Sequence, residues 1–337
     1  MKSQRAFDLP GIVRGGLLWG VGCALSASVL AQPQCLVAGA KSALPVRQLF
    51  VVAGQSNAVG LASVRDVVGG AEDMVQEGTV FPNVKIYGVY GAPTGVVGKD
   101  DGSLSAGVAW SQFTSWKAAQ PGFGFKNVKA YAKEFPAGVT EKQVFGPELF
   151  LARYLNDRAP RDHYIAKLAV SNSSLNTVDG LDNWVSGGHL STELLKIIAK
   201  AHNTQSTKVN LQVAGLFWMQ GETDALSEKT ALQYKSNLTA FIKTFRKALV
   251  GMKCSGDENV PVVIGRIQDN PVWAHRKHVR AAQEQVAREV PNVSLVDTDD
   301  FSAHLVVGGV HFNEIAQARL GERVFRALAN PGHEKNE

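Results

Sequence analysis

The sequence predicts an α/β fold, a central parallel sheet with helices on both faces, and three observations lead there. Five short apolar runs have the length and composition of buried strands: 49–53 (LFVVA), 164–170 (YIAKLAV), 213–219 (VAGLFWM), 260–267 (VPVVIGRI) and 293–296 (VSLV). Five longer segments carry apolar residues every three or four positions, the spacing of an amphipathic helix. The two kinds of segment alternate from residue 147 onward, the pattern of a parallel sheet with crossover helices.

Each helix is read from its own face. Residues 147–157 place Leu151 and Leu155 one turn apart, and 191–203 align Leu194, Leu195 and Ile198. Residues 228–250 align Leu238, Phe241, Ile242, Phe245 and Leu249. Residues 272–290 carry Val279, Ala282, Val286 and Val290, and 313–329 carry Ala316, Leu320, Val324 and Leu328. Open α/β sheets place their sites in loops beyond the carboxyl ends of strands, so the chemistry is expected after residues 53, 170, 219, 267 and 297. Residues 62–145 break the rhythm. They are rich in Gly, with Trp110, Trp116, Phe123 and Phe125 interspersed, and read as a long, partly structured insertion over the site. Its aromatic residues could stack on sugar rings or simply build core.

The chain has 337 residues, of which 45% are apolar and 19% charged, ordinary values for one large globular domain. Its N-terminus reads differently. Lys2, Arg5 and Arg14 precede an apolar run from Leu17 to Leu30, and Val29-Leu30-Ala31 resembles a cleavage site before Gln32. This is the layout of a secretory signal peptide over residues 1–31, an uncleaved signal anchor being the alternative. The expected mature chain, 32–337, is then a single exported domain, periplasmic or secreted and free of the membrane. Two of the three cysteines remain in it, Cys35 and Cys254. In an oxidising compartment they either form a disulfide that pins the new N-terminus or stay as two thiols. The formal charge of +5 falls to about +3 without the leader, and the basic residues are scattered, which argues against a nucleic-acid partner.

Three expected loops carry polar residues suited to catalysis. Gly54-Gln55-Ser56-Asn57-Ala58-Val59-Gly60 follows the first strand. A serine at a strand-to-helix turn presents its hydroxyl at the sheet edge, where backbone N–H groups face an incoming oxyanion; the plain alternative is a Gly-rich turn capped by Ser56. Trp218-Met219-Gln220-Gly221-Glu222-Thr223-Asp224 follows another strand. Gln220 can donate to an oxyanion and Glu222 can pair with a histidine or orient a neighbour; alternatively this is an ordinary loop whose Asp224 or Ser227 caps the next helix. Gly309-Val310-His311-Phe312-Asn313 precedes the last helix, and a histidine there can reach the first loop as general base and then acid. No His/Asp/Glu cluster has metal-ligand spacing.

Together these motifs resemble the SGNH-hydrolase superfamily, most closely its branch of sialate O-acetylesterases and carbohydrate (acetylxylan) esterases. GQSNAVG resembles that branch's nucleophile block, WMQGETDA its Trp-x-Gln-Gly-Glu block, FGPELFLARYL (145–155) its Gly-Pro-Glu helix start, VRAAQ (279–283) its penultimate helix and GVHFN its histidine block. The resemblance spans residues 47 to 328. It implies a flavodoxin-like three-layer α/β/α sandwich, no metal or organic cofactor, and ester hydrolysis through an acyl-serine. Ser56 would be the nucleophile and His311 the base, with the Ser56 N–H and the Gln220 side chain in the oxyanion hole.

Two positions depart from the family pattern. The histidine block usually reads Asp-x-x-His, the Asp orienting the imidazole, but position 308 is Gly308. A serine enzyme whose histidine loses that acid can lose about four orders of magnitude in rate. Glu222 is the first choice for a replacement acid, Asp299 and Asp300 are weaker choices, and a backbone carbonyl is a further option. At 171–174 the chain reads SNSS where the family tends to Gly-Gly-Thr-Ser, so Asn172 stands where a glycine N–H would complete the oxyanion hole. The expected activity is removal of O-acetyl groups from a carbohydrate by an exported serine esterase. Two competing readings are a catalytically silent glycan-binding member, motivated by Gly308, and a broad thioesterase or arylesterase.

Overall fold

A computed structural model describes residues 33–36, 44–65, 75–93, 108–125, 128–158, 161–177, 182–306 and 309–329. The expected leader, 1–31, and Gly308 lie outside the described residues. The elements run β1 (Val46–Gly54), α1 (Ser56–Val59), β2 (Ala62–Ser63), β3 (Phe81–Pro93), β4 (Val108–Ala119), β5 (Val144–Phe145), α2 (Pro147–Asp157), β6 (His163–Val170), α3 (His189–Asn203), β7 (Asn210–Met219), α4 (Glu228–Gly251), β8 (Val262–Gly265), α5 (Arg276–Glu289), β9 (Val293–Val296) and α6 (Glu314–Ala329). Single 3-10 turns punctuate the loops, one of them at Val128–Glu134.

Seven strands form one sheet in the order β4-β3-β6-β1-β7-β8-β9. All neighbours are parallel except β3 and β4. β1 sits where the strand order reverses, with β6 on one side and β7 on the other, the place where such sheets open a crevice. The period of two in β1 divides the core. Leu49, Val51 and Ala53 face a cluster with Leu194 and Ile198 of α3, Leu238 and Phe241 of α4, and Val279 and Val286 of α5. Phe50 and Val52 face the other side, with Leu151 and Leu155 of α2 and Leu320 and Val324 of α6. The result is a three-layer α/β/α sandwich, as expected, with a mixed rather than purely parallel sheet.

The stretch 62–145 is where the structure departs most from expectation. It is not only a covering insertion, because β3 and β4 extend the central sheet on the β6 side. Among the described side chains of β3, Val84 and Ile86 are the aliphatic residues buried against the α2–α6 side, and the strand's sequence, FPNVKIYGVYGAP, lacks the continuous apolar run that marks its neighbours. Phe123 and Phe125 are core residues, and Trp116 packs between Tyr87 and Tyr164. These rings build the core rather than a sugar platform; of Trp110 only the backbone is described.

Residues 34–36 are held at the end of the sheet opposite Gly54. Cys35 is joined to Cys254 by a disulfide. Cys35 N–H donates to Met252 O, Leu36 N–H to Asn203 Oδ1, and Asn203 Nδ2 to Gln34 O. The Val213 N–H, early in β7, donates to Cys254 O, so the bridge is fixed to the sheet's amino-terminal edge.

Candidate active site

Ser56 opens α1 two residues beyond the end of β1. Gly54 makes that exit possible: its φ is +143°, and a Cβ there would stand 1.9 Å from Met219 O. The Gln55 N–H donates to the same carbonyl at 2.8 Å, while Gln55 Oε1 accepts from Gly221 and Thr223 N–H. The Ser56 turn is therefore fastened to the end of β7. Ser56 is 7% exposed, and its N–H and that of Asn57 begin the helical turn, where no preceding turn supplies an acceptor. Below the turn a fully buried Lys167 donates to Val59 O, Phe123 O and Glu148 Oε2 at 2.7–2.9 Å. One ammonium thus joins the end of α1, the start of α2 and the segment that leads to Glu134.

The histidine loop is held as firmly. Phe312 is buried edge-on against Phe301, Asn313 Oδ1 caps α6 by accepting from the N–H groups of Ile315 and Ala316, and the Val306 N–H donates to His311 O. Phe312 N–H donates to Asn57 Oδ1 at 3.0 Å, which ties this loop to the residue beside Ser56. His311 Nδ1 meets Glu134 Oε2 at 2.6 Å, with the two side chains 15% and 20% exposed. A carboxylate only accepts, so this contact puts a hydrogen on Nδ1, and in the neutral ring Nε2 then keeps its lone pair. Glu134 ends the 3-10 turn Val128–Glu134, whose neighbours Val128 and Phe135 are anchored in the same apolar cluster as Val59 and Phe312. A Cβ on residue 309 would lie 3.3 Å from Glu134 Oε2, so the carboxylate fills space against the backbone just beyond position 308.

This geometry corrects three sequence expectations. Glu222 is not the acid on His311: its Oε1 accepts from Asn57 Nδ2 at 3.1 Å, and the imidazole's Nδ1 is held by Glu134. Burial pushes the Glu222 carboxyl up, opposed by hydrogen bonds to backbone and Asn57 and by the nearby His311. Gln220 is not a free oxyanion donor, because its fully buried Nε2 donates to Ser173 O at 3.0 Å and Asp224 Oδ2 at 2.5 Å. Asp224 also accepts from Ser174 Oγ, the Leu175 N–H and Asn176 Nδ2, which leaves it an architectural hub; burial raises its pKa. Asp299 and Asp300 belong to a surface network with Arg266, Arg280, Arg319 and Arg323. Asn172, by contrast, is exposed in the loop after β6 with φ +59°, a conformation that asparagine tolerates better than other side-chain-bearing residues.

A profile for a carbohydrate esterase family, described as sialic acid-specific acetylesterase, matches residues 46–330. The chain belongs to this family. Among solved structures, a protein from Arabidopsis thaliana is 18% identical, with 85% of this chain and 98% of that one covered and a TM-score of 0.55. NanS is 14% identical over 85% and 97% at a TM-score of 0.57, and a carbohydrate acetylesterase from Xanthomonas citri is 15% identical over 86% and 57% at 0.51. At these identities the likeness is one of fold. Comparison with curated protein sequences gives no match. Against the family's Asp-x-x-His pattern, this member has its histidine-bound carboxylate 177 residues upstream, on Glu134.

Sequence reasoning missed Glu134 and Asn57. Asn57 was in view inside the nucleophile block and follows Ser56 directly. Glu134 sits in a Gly- and aromatic-rich stretch, at no strand end and in no motif, and the only hint of it was the missing acid at 308.

Proposed function

We propose that this chain is an exported serine esterase that removes O-acetyl groups from a carbohydrate, with Ser56, His311 and Glu134 as its catalytic residues. The observation that carries the reading is the Glu134–His311 contact at 2.6 Å, in a loop tied to the Ser56 turn through Asn57. Ser56 Oγ attacks the acetyl carbonyl carbon as His311 Nε2 takes the hydroxyl proton. The oxyanion is met by the Ser56 N–H and, across the crevice, the N–H of Asn172. Collapse breaks the bond to the sugar oxygen, which leaves with the proton from His311. Water then gives a proton to His311, attacks the acetyl-serine, and acetate departs as Ser56 regains its proton. Glu134 holds the imidazole tautomer and stabilises the imidazolium at each step.

The Cys35–Cys254 disulfide supports export, since such bridges persist in oxidising compartments. Gly308 motivates the reading of a silent glycan-binding member, and the Glu134 carboxylate on His311 weighs against it. The test is acetate release by residues 32–337 from p-nitrophenyl acetate and acetylated sugars, beside Ser56→Ala. Expected is turnover that Ser56→Ala lowers by about 10⁴-fold or more. Full activity in Ser56→Ala would remove the nucleophile, and faster cleavage of eight-carbon acyl chains than of acetyl would remove the acetylesterase reading.

A further inference from the structure

One buried pair beside the proposed catalytic residues takes no part in the chemistry above. Asn57 is 1% exposed, and its side-chain oxygen, side-chain nitrogen and backbone oxygen each engage a different residue. Oδ1 accepts from the Phe312 N–H at 3.0 Å, Nδ2 donates to Glu222 Oε1 at 3.1 Å, and the backbone oxygen accepts from Gln317 Nε2 at 3.1 Å. A side-chain amide has a donor end and an acceptor end. Reversed, it would set its NH₂ against the Phe312 N–H and its oxygen against a carboxylate. Glu222 can only accept while ionised, so it decides which end of Asn57 faces the residue that follows His311.

We propose that Asn57 is a positioning residue that holds the His311 loop against Ser56, and that Glu222 acts on the reaction by fixing the direction of the Asn57 amide. This rests on the serine–histidine reading above. It assigns the carboxylate of the Gln-Gly-Glu segment a role in geometry, distinct from that of Glu134. A misplacement of about 1 Å in a catalytic group can cost about 10²-fold in rate, so a hydrogen bond between the residue next to His311 and the residue next to Ser56 is well placed to matter.

The test exchanges donor and acceptor. Asn57→Asp keeps the shape and the acceptor for the Phe312 N–H, but turns an oxygen toward Glu222. Expected is a fall in kcat/KM of about 10²-fold, carried by kcat with KM nearly unchanged. Asn57→Asp with Glu222→Gln restores one donor, one acceptor and one negative charge across the same gap, with the direction reversed. Expected is a recovery of about tenfold over the single variant. A double variant no faster than folded Asn57→Asp overturns the proposal, as does Asn57→Ala with the parent's kcat.

A second readout needs no turnover: the His311 ring resonances and their titration by NMR. Among the described residues, the charged groups facing this histidine are Glu134 and Glu222, and Glu222 is faced in turn by Asp224 and Tyr234. The resonances should move in Asn57→Asp and return in the double variant. If Asn57→Asp does not fold, Glu222→Gln alone carries the test, because it frees the amide to reverse; unmoved His311 resonances with unchanged kcat overturn the proposal. Resonances that respond as expected in a parent lacking Ser56-dependent turnover would overturn the esterase reading and leave the positioning intact.

Discussion

Two regions of the molecule each bring a carboxylate to the neighbourhood of His311, and they do it in opposite ways. The segment after β7 belongs to a recognisable motif; its Glu222 is 3% exposed, lies one hydrogen bond from Asn57 and does not hold the imidazole. The segment 128–135 belongs to no motif, ends a 3-10 turn in a stretch that disrupts the strand–helix rhythm, and its partly exposed Glu134 holds Nδ1 directly. The motif carboxylate is buried just beyond the end of β7, where it meets the Asn57 amide that in turn accepts from the Phe312 N–H. The acid that serves the histidine needs only to arrive at Nδ1 with the right geometry, and a segment anchored by Val128 and Phe135 delivers it.

The strongest way to break this contrast is Glu134→Gln. The amide keeps the size of the side chain but not the charge that stabilises an imidazolium, and the comparable change in a serine triad costs about 10⁴-fold in kcat. Expected here is a loss of about 10³- to 10⁴-fold in kcat/KM with the fold retained, measured on p-nitrophenyl acetate beside circular dichroism. A loss smaller than about threefold would return the orienting role to some other group.

The same contrast shows what was legible in the sequence. Every strand and helix from 147 onward was readable, the strands as short continuous apolar runs and the helices as faces that recur every three or four residues; α2 begins and ends where the pattern places it, at Pro147 and Asp157. The places of Ser56 and His311 in the fold were readable because they sit beside a strand end and a helix start, where the fold gathers its polar loops. β3 and β4 were not, since pairing to a sheet edge through the backbone leaves little trace in side-chain period. Gln220 was misjudged for a related reason: the residues give its donors but not Asp224 and Ser173, which consume them. Glu134 could not be found by any local rule, because its partner is set by tertiary packing across 177 residues.

A smaller effect sharpens the difference between the two carboxylates through pH. Burial raises the folded-state pKa of Glu222 above its unfolded value, so the folded protein binds that proton more tightly. Between those two values the native state carries more protons than the unfolded one, and stability falls as pH rises. Glu222→Gln has no such titration. Its thermal midpoint relative to the parent should therefore climb from about pH 4 toward neutrality, where the parent bears the full cost of a buried carboxylate. Melting curves of both proteins across that range check the sign. A midpoint difference that is flat with pH would mean that Glu222 is not ionised against its burial.

The effect expected to be smallest on turnover concerns the other end of the sheet. The Cys35–Cys254 bridge closes a separation of 219 residues, yet it is fixed to the start of β7, whereas Ser56 follows the carboxyl end of β1. Cross-links of this kind stabilise mainly by restricting the unfolded chain, typically by about 2–4 kcal/mol. Replacing both cysteines by serine should lower the free energy of unfolding by about that amount in a denaturant titration, while kcat/KM at 25 °C stays within about twofold of the parent. The two ends of the sheet would then be separable: one edge adds to the stability of the fold, and the other carries the proposed active site. A drop in kcat/KM with stability unchanged would couple the two edges through β7, the strand that carries the Cys254 contact at one end and Gln220, Glu222 and Asp224 just beyond the other.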